Sequence, residues 1–399
     1  MAVTEATPRV LESDPAAGTG LDFALSEEQR LLAGEIRRFA EERIQPGVAE
    51  RDRAHEFPAE LAGEMGAMGL FGMLVPEEHG GGGLDPLTYC LAVEEISRIC
   101  PALGVTMSVT NSVCCWPIVR FANPATQRRF LPALAAGALG GFCLTEPGSG
   151  SDASAMVTTA RRDGDDWVLD GEKAWITNAP VAETFVVFAK TDPTAGKRGI
   201  SAFVVPADAP GVACGRPEAK LGLKASLTSS VVFSQCRVSD ESLLGEVGQG
   251  FKIALATLAH SRLGIAAQSV GIHQRALELA VAYARERIQF GKPIAEHQAI
   301  RFAIARMATE LAAARALTWW AASIADRRPE AARAASEAKA YASEAANRAC
   351  FDALQIHGGN GVSEEYEICR LYRDVRVTMI YEGTSEMQRL VIARSLLGG

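Results

Sequence analysis

The residues best suited to chemistry lie near the C-terminus, in the run Tyr381-Glu382-Gly383-Thr384-Ser385-Glu386. A carboxylate buried beside an apolar partner gains proton affinity and can act as a general base towards a weak carbon acid. Glu382 is the candidate for that role. Gly383 beside it removes side-chain bulk, so that a ligand can approach the backbone. The same run also reads as the start of a helix. An acidic side chain there is favoured by the dipole, and Ser385 and Gln388 have the S-x-x-Q spacing of a capping pair. Arg287 offers a planar, permanently charged fork that suits a pyrophosphate, although Glu286 next to it supports a plain surface ion pair. The nine cysteines are scattered, with Cys114-Cys115 the only close pair. They form no C-x-x-C and no zinc-like set, which points to buried, reduced thiols and no metal. Of the histidines, His260 reads as solvent-facing and His357 as structural.

Three stretches of differing period must position these residues. Ser26 and Gln29 form a capping box, followed by Leu32, Ile36, Phe39 and Ala40 at helical spacing and a stop at Pro46. Alanine- and leucine-rich helical stretches continue to about Leu139, interrupted by Gly80 to Gly83, which predict a flexible turn. The middle third reads as β. Thr184 to Lys190, Ile200 to Pro206 and Val231 to Val238 are strand-like runs, and Asp170-Gly171 predicts a hairpin turn between Trp167-Val168-Leu169 and Ala174 to Thr177. From about Gly250 the helical period returns, with Leu277, Ala280, Val281, Ala284 and Ile288 on one stripe and an alanine-rich stretch from Arg306 to Ala349. The expected fold class is α+β. After a disordered tail (1–21) come an N-terminal helical domain (22–138), a central antiparallel β-barrel or sandwich (139–245) and a C-terminal four-helix bundle (246–399). This order excludes a Rossmann domain, which alternates strands and helices behind a glycine-rich turn.

Composition narrows the function classes. With 399 residues, 48% hydrophobic and 22% charged, the chain is an ordinary globular one of two or three domains. A net charge of -8 argues against wholesale nucleic-acid binding. No apolar run of membrane-spanning length is expected. The first twenty residues lack the marks of a signal or transit peptide, so a cytoplasmic location is expected.

Five stretches taken in order resemble the acyl-CoA dehydrogenase family over about 22–396. They are Leu144-Thr145-Glu146-Pro147-Gly148-Ser149-Gly150-Ser151-Asp152, Trp175-Ile176-Thr177-Asn178, Arg287-Ile288-Gln289-Phe290-Gly291, Gln355-Ile356-His357-Gly358-Gly359-Asn360-Gly361 and the run at Glu382. The resemblance implies FAD-dependent dehydrogenation of an acyl thioester to its trans-2-enoyl form. Glu382 would take the α-proton while the β-hydride passes to flavin. The Glu382 amide and a flavin ribityl hydroxyl would hold the thioester carbonyl, and Tyr381, Gly383, Arg262 and Ser151 would contact substrate. Phe142, Leu144, Thr145 and Ser151 would hold the flavin ring, with Thr177 near the hydride-accepting nitrogen and Trp175 and Ile176 along the ring; Thr384 and Glu386 are further cofactor positions. Arg287, Gln289, Phe290, Gln298, Gln355, Gly358 and Gly359 would bind the pyrophosphate and adenosine, contributed by an adjacent subunit of a homotetramer built from dimers. Electrons would pass to an electron-transferring flavoprotein.

One run departs from the family pattern. Where members carry Leu-Asp-x-x-Arg, this chain has Leu258-Ala259-His260-Ser261-Arg262. Ala259 leaves open whether the thioester carrier is CoA or a carrier protein. Ser261 occupies the position where some long-chain and branched-chain relatives place their base, and a hydroxyl is too weak for that task. Val109 to Trp116 are expected at the pocket base, with chain length and branching open. The alternatives are a same-fold oxidase or tailoring dehydrogenase acting on a carrier-bound acyl group, and a non-catalytic flavoprotein module.

Overall fold

Residues 25–398 are described by the computed structural model, so the expected tail lies outside the described residues. Ser26 opens helix α1 (Glu27–Phe39) through the expected reciprocal cap: its hydroxyl accepts from the Gln29 amide, and the Gln29 side chain accepts from the Ser26 amide. A π-helical turn, Ala40–Ile44, extends it. Then follow α2 (Val48–Ala54), α3 (Ala59–Ala67), α4 (Pro86–Ile99), α5 (Pro101–Val109), a π segment (Thr110–Cys115), α6 (Trp116–Phe121) and α7 (Pro124–Ala135). The glycine run before α4 is not a flexible turn. The amides of Gly81, Gly82 and Gly83 donate to the carbonyls of Pro76, Gly72 and Val75 at 3.2, 2.9 and 2.8 Å. A Cβ on Gly81 would lie 2.2 Å from the Val75 oxygen, so glycine serves close backbone packing there. The membrane expectation also needs correction: the 21 residues Pro101–Phe121 are long and apolar enough to span a bilayer. Every residue from Pro101 to Ile118 is buried, so this segment is spent on the protein core.

The middle part is one eight-stranded sheet of β1 (Gly140–Cys143), β2 (Thr159–Asp163), β3 (Asp166–Thr177), β4 (Thr184–Lys190), β5 (Ile200–Pro206), β6 (Val212–Cys214), β7 (Thr228–Ser239) and β8 (Leu243–Leu244). The order is β6-β7-β3-β2-β4-β5-β8, with β1 also on β4. The sheet is mixed, because β1 and β2 both run parallel to β4. The hairpin turn falls at Gly164-Asp165, not at Asp170-Gly171, since Asp163 pairs with Asp166 and β3 continues through Gly171. Asp170-Gly171 forms a bulge opposite β7 instead. A Cβ on Gly171 would sit 2.5 Å from the Thr158 hydroxyl, so this glycine admits a neighbour rather than a turn.

Helix α8 (Gly250–Glu286) is the spine of the last part. It is followed by a small hairpin of β9 (Ile288–Gln289) and β10 (Lys292–Pro293), then α9 (Gln298–Ser323), α10 (Ala331–His357), α11 (Glu367–Val375) and α12 (Ser385–Leu397). Residues from His260 to His273 are buried without a break, because α8 is covered on all sides at its centre. Small residues permit this: a Cβ on Gly264 would meet the hydroxyls of Ser108 and Tyr89, and Ala335, Ala338, Ala342 and Ala346 line the buried face of α10.

Candidate active site

The loop that carries Glu382 runs from a 3-10 turn, Arg376–Met379, into α12. Glu382 and Gly383 are consecutively left-handed, at φ 53 and 92. That conformation is unfavourable for glutamate and needs external support. The buried Gln388 side chain supplies some of it, donating to the carbonyls of Glu382 at 3.2 Å and Gly383 at 2.8 Å. A Cβ on Gly383 would lie 2.7 Å from that amide nitrogen. The expected Ser385–Gln388 cap is therefore displaced by one residue. Thr384 is the N-cap, its hydroxyl accepting from the Met387 amide at 3.3 Å, while Ser385 is the buried first residue of the helix. Among the described residues the Glu382 amide makes no hydrogen bond, which leaves it free for a ligand oxygen.

Two helices surround the Glu382 carboxylate with polar groups. Ser261 and Arg262 come from α8, while Ser336 and Lys339 come from α10. Arg262 donates to the Ser336 hydroxyl at 2.9 Å, and Lys339 donates to the Gly383 carbonyl at 2.7 Å. Burial raises the Glu382 carboxyl to about 7, against the opposing pull of the Ser261 hydroxyl, Lys339 and Arg262. Its Oε2 is buried with no hydrogen-bond partner. Burial likewise lowers Arg262 to about 10 and Lys339 to about 8, with the Glu382 charge opposing both shifts. A carboxylate half ionised near neutral pH, with one oxygen unengaged, is suited to accept a proton from carbon. Tyr381 is fixed alongside by a hydrogen bond from its hydroxyl to the Gln268 side chain.

His260 does not face solvent. It is buried and stacks on Trp116 with ring centres 4.8 Å apart and planes at 21°. Burial pushes it down to about 4, so it is neutral. This contact also fixes the Trp116 ring against α8. His357 is structural as expected, stacked on Tyr283 at 4.2 Å, with Nδ1 2.7 Å from the Ala353 carbonyl. Seven cysteines are buried, but Cys214 is exposed and Cys369 partly so.

On the sheet, Trp175 is left-handed at φ 61 in a bulge of β3, and its indole is 61% exposed. Ile176 next to it is buried and Thr177 half-buried. The Ala174 amide donates to the Thr145 carbonyl at 2.9 Å, tying the loop after β1 to this bulge. Leu144 is buried and Phe142 packs edge-on against Phe188, while Ser151 is exposed. An exposed indole beside a threonine and half-buried apolar side chains fits a planar flavin ring with polar edges. Two residues without an assigned role anchor the loop: Glu146 accepts from Lys173 at 2.7 Å and from the Val157 and Thr158 amides, with both side chains of the ion pair buried. The acid inside the Leu144 to Asp152 motif was the available signal for that pair. For Lys339 it was a lone cation on an alanine stripe.

The second expected set gathers elsewhere. Arg287 is separated from Ser261 by 26 positions along the chain, of which all but the last are in α8, a rise of roughly 39 Å. The Tyr283–His357 stack, with Asn360 donating to the Tyr283 hydroxyl at 3.0 Å, draws the end of α10 to this end of α8. Arg287, Gln289, Phe290, Gln298, Gln355, Gly358 and Gly359 are all exposed there, Phe290 by 93%. Arg287 forms no ion pair among the described residues, so the Glu286 alternative falls away. The fold thus gathers Glu382, Tyr381, Gly383 and Arg262 in one place and the Arg287 set in another. Thr384 is half-buried and Glu386 exposed at the start of α12.

Comparison with known proteins draws these parts together. Residues 26–138, 141–236 and 248–397 match the N-terminal, middle and C-terminal domains of acyl-CoA dehydrogenases. The chain is 49% identical over 374 residues to the short-chain specific acyl-CoA dehydrogenase of Bos taurus mitochondria, covering 94% of this chain and 91% of that one. It is similar to the solved butyryl-CoA dehydrogenase of Megasphaera elsdenii, with a TM-score of 0.92 and 41% identity over 94% of this chain and all of the other. It is also similar to a chain in a structure described as the electron transferring flavoprotein of Acidaminococcus fermentans, with a TM-score of 0.93 and 44% identity over 95% and 100% of the two chains. The chain belongs to the acyl-CoA dehydrogenase family, and its activity is the FAD-dependent dehydrogenation of acyl-CoA.

Proposed function

We propose that Glu382 is the general base of this acyl-CoA dehydrogenation. The observation that carries the reading is its carboxylate, raised to about 7 by burial, with Oε2 unengaged. Ionised Glu382 takes the α-proton, and the free amide of the same residue donates to the thioester carbonyl as negative charge develops there. Trp175, Thr177 and the loop at Thr145 orient the flavin ring, and Arg262 balances charge beside the base. The bound flavin supplies the acceptor for the β-hydride. Arg287 and the exposed residues around it hold the pyrophosphate and adenosine of a neighbouring subunit's cofactor, within a homotetramer. The substrate class is a short, unbranched acyl-CoA, as the names of the cattle and Megasphaera relatives suggest. The electron acceptor is an electron-transferring flavoprotein, a reading supported by the Acidaminococcus similarity.

Glu382→Gln tests the central claim. Butyryl-CoA added without oxygen should bleach the yellow wild-type protein, while the variant should fold, hold flavin and stay yellow. Bleaching of the variant at the wild-type rate would refute the base assignment.

A further inference from the structure

The buried face of α10 is a row of alanines, Ala335, Ala338, Ala342 and Ala346, broken by one charged side chain. Lys339 is fully buried among them. An ammonium loses its hydration on burial and normally requires an ionic partner, yet among the described residues Lys339 forms no ion pair within 4.0 Å. Its Nζ is directed to a neutral acceptor, the Gly383 carbonyl at 2.7 Å. Gln388 donates to the same oxygen at 2.8 Å. Two donors from two helices therefore converge on the Gly383 carbonyl, one residue past Glu382, in the turn whose backbone is left-handed at both residues.

We propose that Lys339 is a positioning residue for the dehydrogenation: it clamps the left-handed turn that presents Glu382 and supplies positive charge that favours the ionised form of this buried carboxylate. The inference rests on the reading of Glu382 as base. The groups that face the pair come from several elements. Arg262 of α8 is the second cation, held through Ser336, one turn before Lys339. Glu344 on α10 and Glu386 on α12 contribute weaker negative charge at Lys339. Tyr89 of α4 and Tyr381 stay neutral, because burial pushes both phenols up. Lys339, at about 8, is still mostly protonated at neutral pH, where Glu382, at about 7, is about half ionised. The two cations thus flank one carboxylate from two helices, and only Lys339 also grips the backbone beside it.

The test is the pH dependence of the second-order rate constant for anaerobic flavin reduction by butyryl-CoA, which reports the free enzyme's base. Lys339→Met keeps the aliphatic stem and removes the charge. Its acid limb should move up by about one pH unit, the least expected from removing a nearby opposite charge. The rate at pH 6 should then fall about tenfold relative to wild type, with a smaller loss at high pH. Lys339→Arg keeps the charge and should keep the wild-type acid limb. If the methionine variant does not accumulate as a yellow protein, Lys339→Gln removes the charge while keeping a donor, and the same shift is expected. A rate lowered equally at every pH, with the acid limb in place, means a merely structural lysine and overturns the proposal. Glu382→Gln separates the two readings. Bleaching of that variant removes the base itself, whereas an inert Glu382→Gln with an unshifted lysine variant removes only the role of Lys339.

Discussion

Glu382 holds its proton more tightly in the folded chain than in the unfolded one, at about 7 against an ordinary 4.5. Between those values the folded state binds more protons, so this residue's contribution to stability declines as pH rises through that window. The decline approaches about 3 kcal/mol, from 1.36 kcal/mol per pH unit. Glutamine cannot titrate and escapes it, although Arg262 and Lys339 then lose the carboxylate that favours their charged forms. Comparing flavin-loaded wild type and Glu382→Gln by thermal unfolding, the difference should shift in the variant's favour by about 2–3 kcal/mol between pH 5 and pH 8. A difference that is constant across this range would mean that the carboxyl titrates normally. The same group thus lowers stability where it gains basicity, a trade common at active sites.

At the level of elements, α8 carries the site and depends on close backbone approach. Gly271 faces α4 so tightly that a Cβ would lie 2.3 Å from the Glu94 carbonyl and 2.9 Å from the Arg98 amide. Backbone atoms cannot rotate aside. Gly271→Ala should therefore cost about 1–3 kcal/mol through overpacking, exceeding the roughly 1 kcal/mol that alanine gains in a helix. Gly63 in α3 meets nothing within 4 Å, so Gly63→Ala should leave the melting temperature unchanged or raise it. Equal effects of the two substitutions would show that helix propensity, not contact between α4 and α8, decides. The sheet teaches a related lesson: Asp170-Gly171 has the composition of a turn, but its glycine is needed to admit Thr158. The same dipeptide serves either purpose, and only the neighbouring strand distinguishes them.

For the whole molecule, the rise of roughly 39 Å along α8 between Ser261 and Arg287 puts the proposed base and the proposed pyrophosphate-binding set in separate regions of one chain. If neighbouring subunits share each cofactor, Glu382→Gln and Arg287→Met lie in different halves of the same site. Co-expressed and purified as mixed oligomers, the two impaired variants should regain measurable butyryl-CoA dehydrogenation, because some sites then receive an intact Glu382 and an intact Arg287. Activity no greater than the sum of the separate variants would place both halves in one chain. The exposed apolar side chains of Phe290, Ile288 and Phe302 near this end suit such a shared surface.

The sequence by itself determined the helix–sheet–helix order, because hydrophobic period and β-branched runs are local properties. It also determined the family, because five motifs in order are too specific to arise separately, and it singled out Glu382 through them. Tertiary structure decided the rest. Whether Glu382 is a capped helix-start acid or a basic carboxylate depends on burial by α8 and α10, elements far from it in sequence, and the cap itself moved to Thr384. His260 looked like a surface residue until Trp116 from a distant helix covered it. Lys339 carried no motif at all. Its meaning appeared only when the packing of α10 placed its ammonium against the Gly383 carbonyl beside Glu382, since a buried charge is defined by what surrounds it in space and not by its neighbours in the chain.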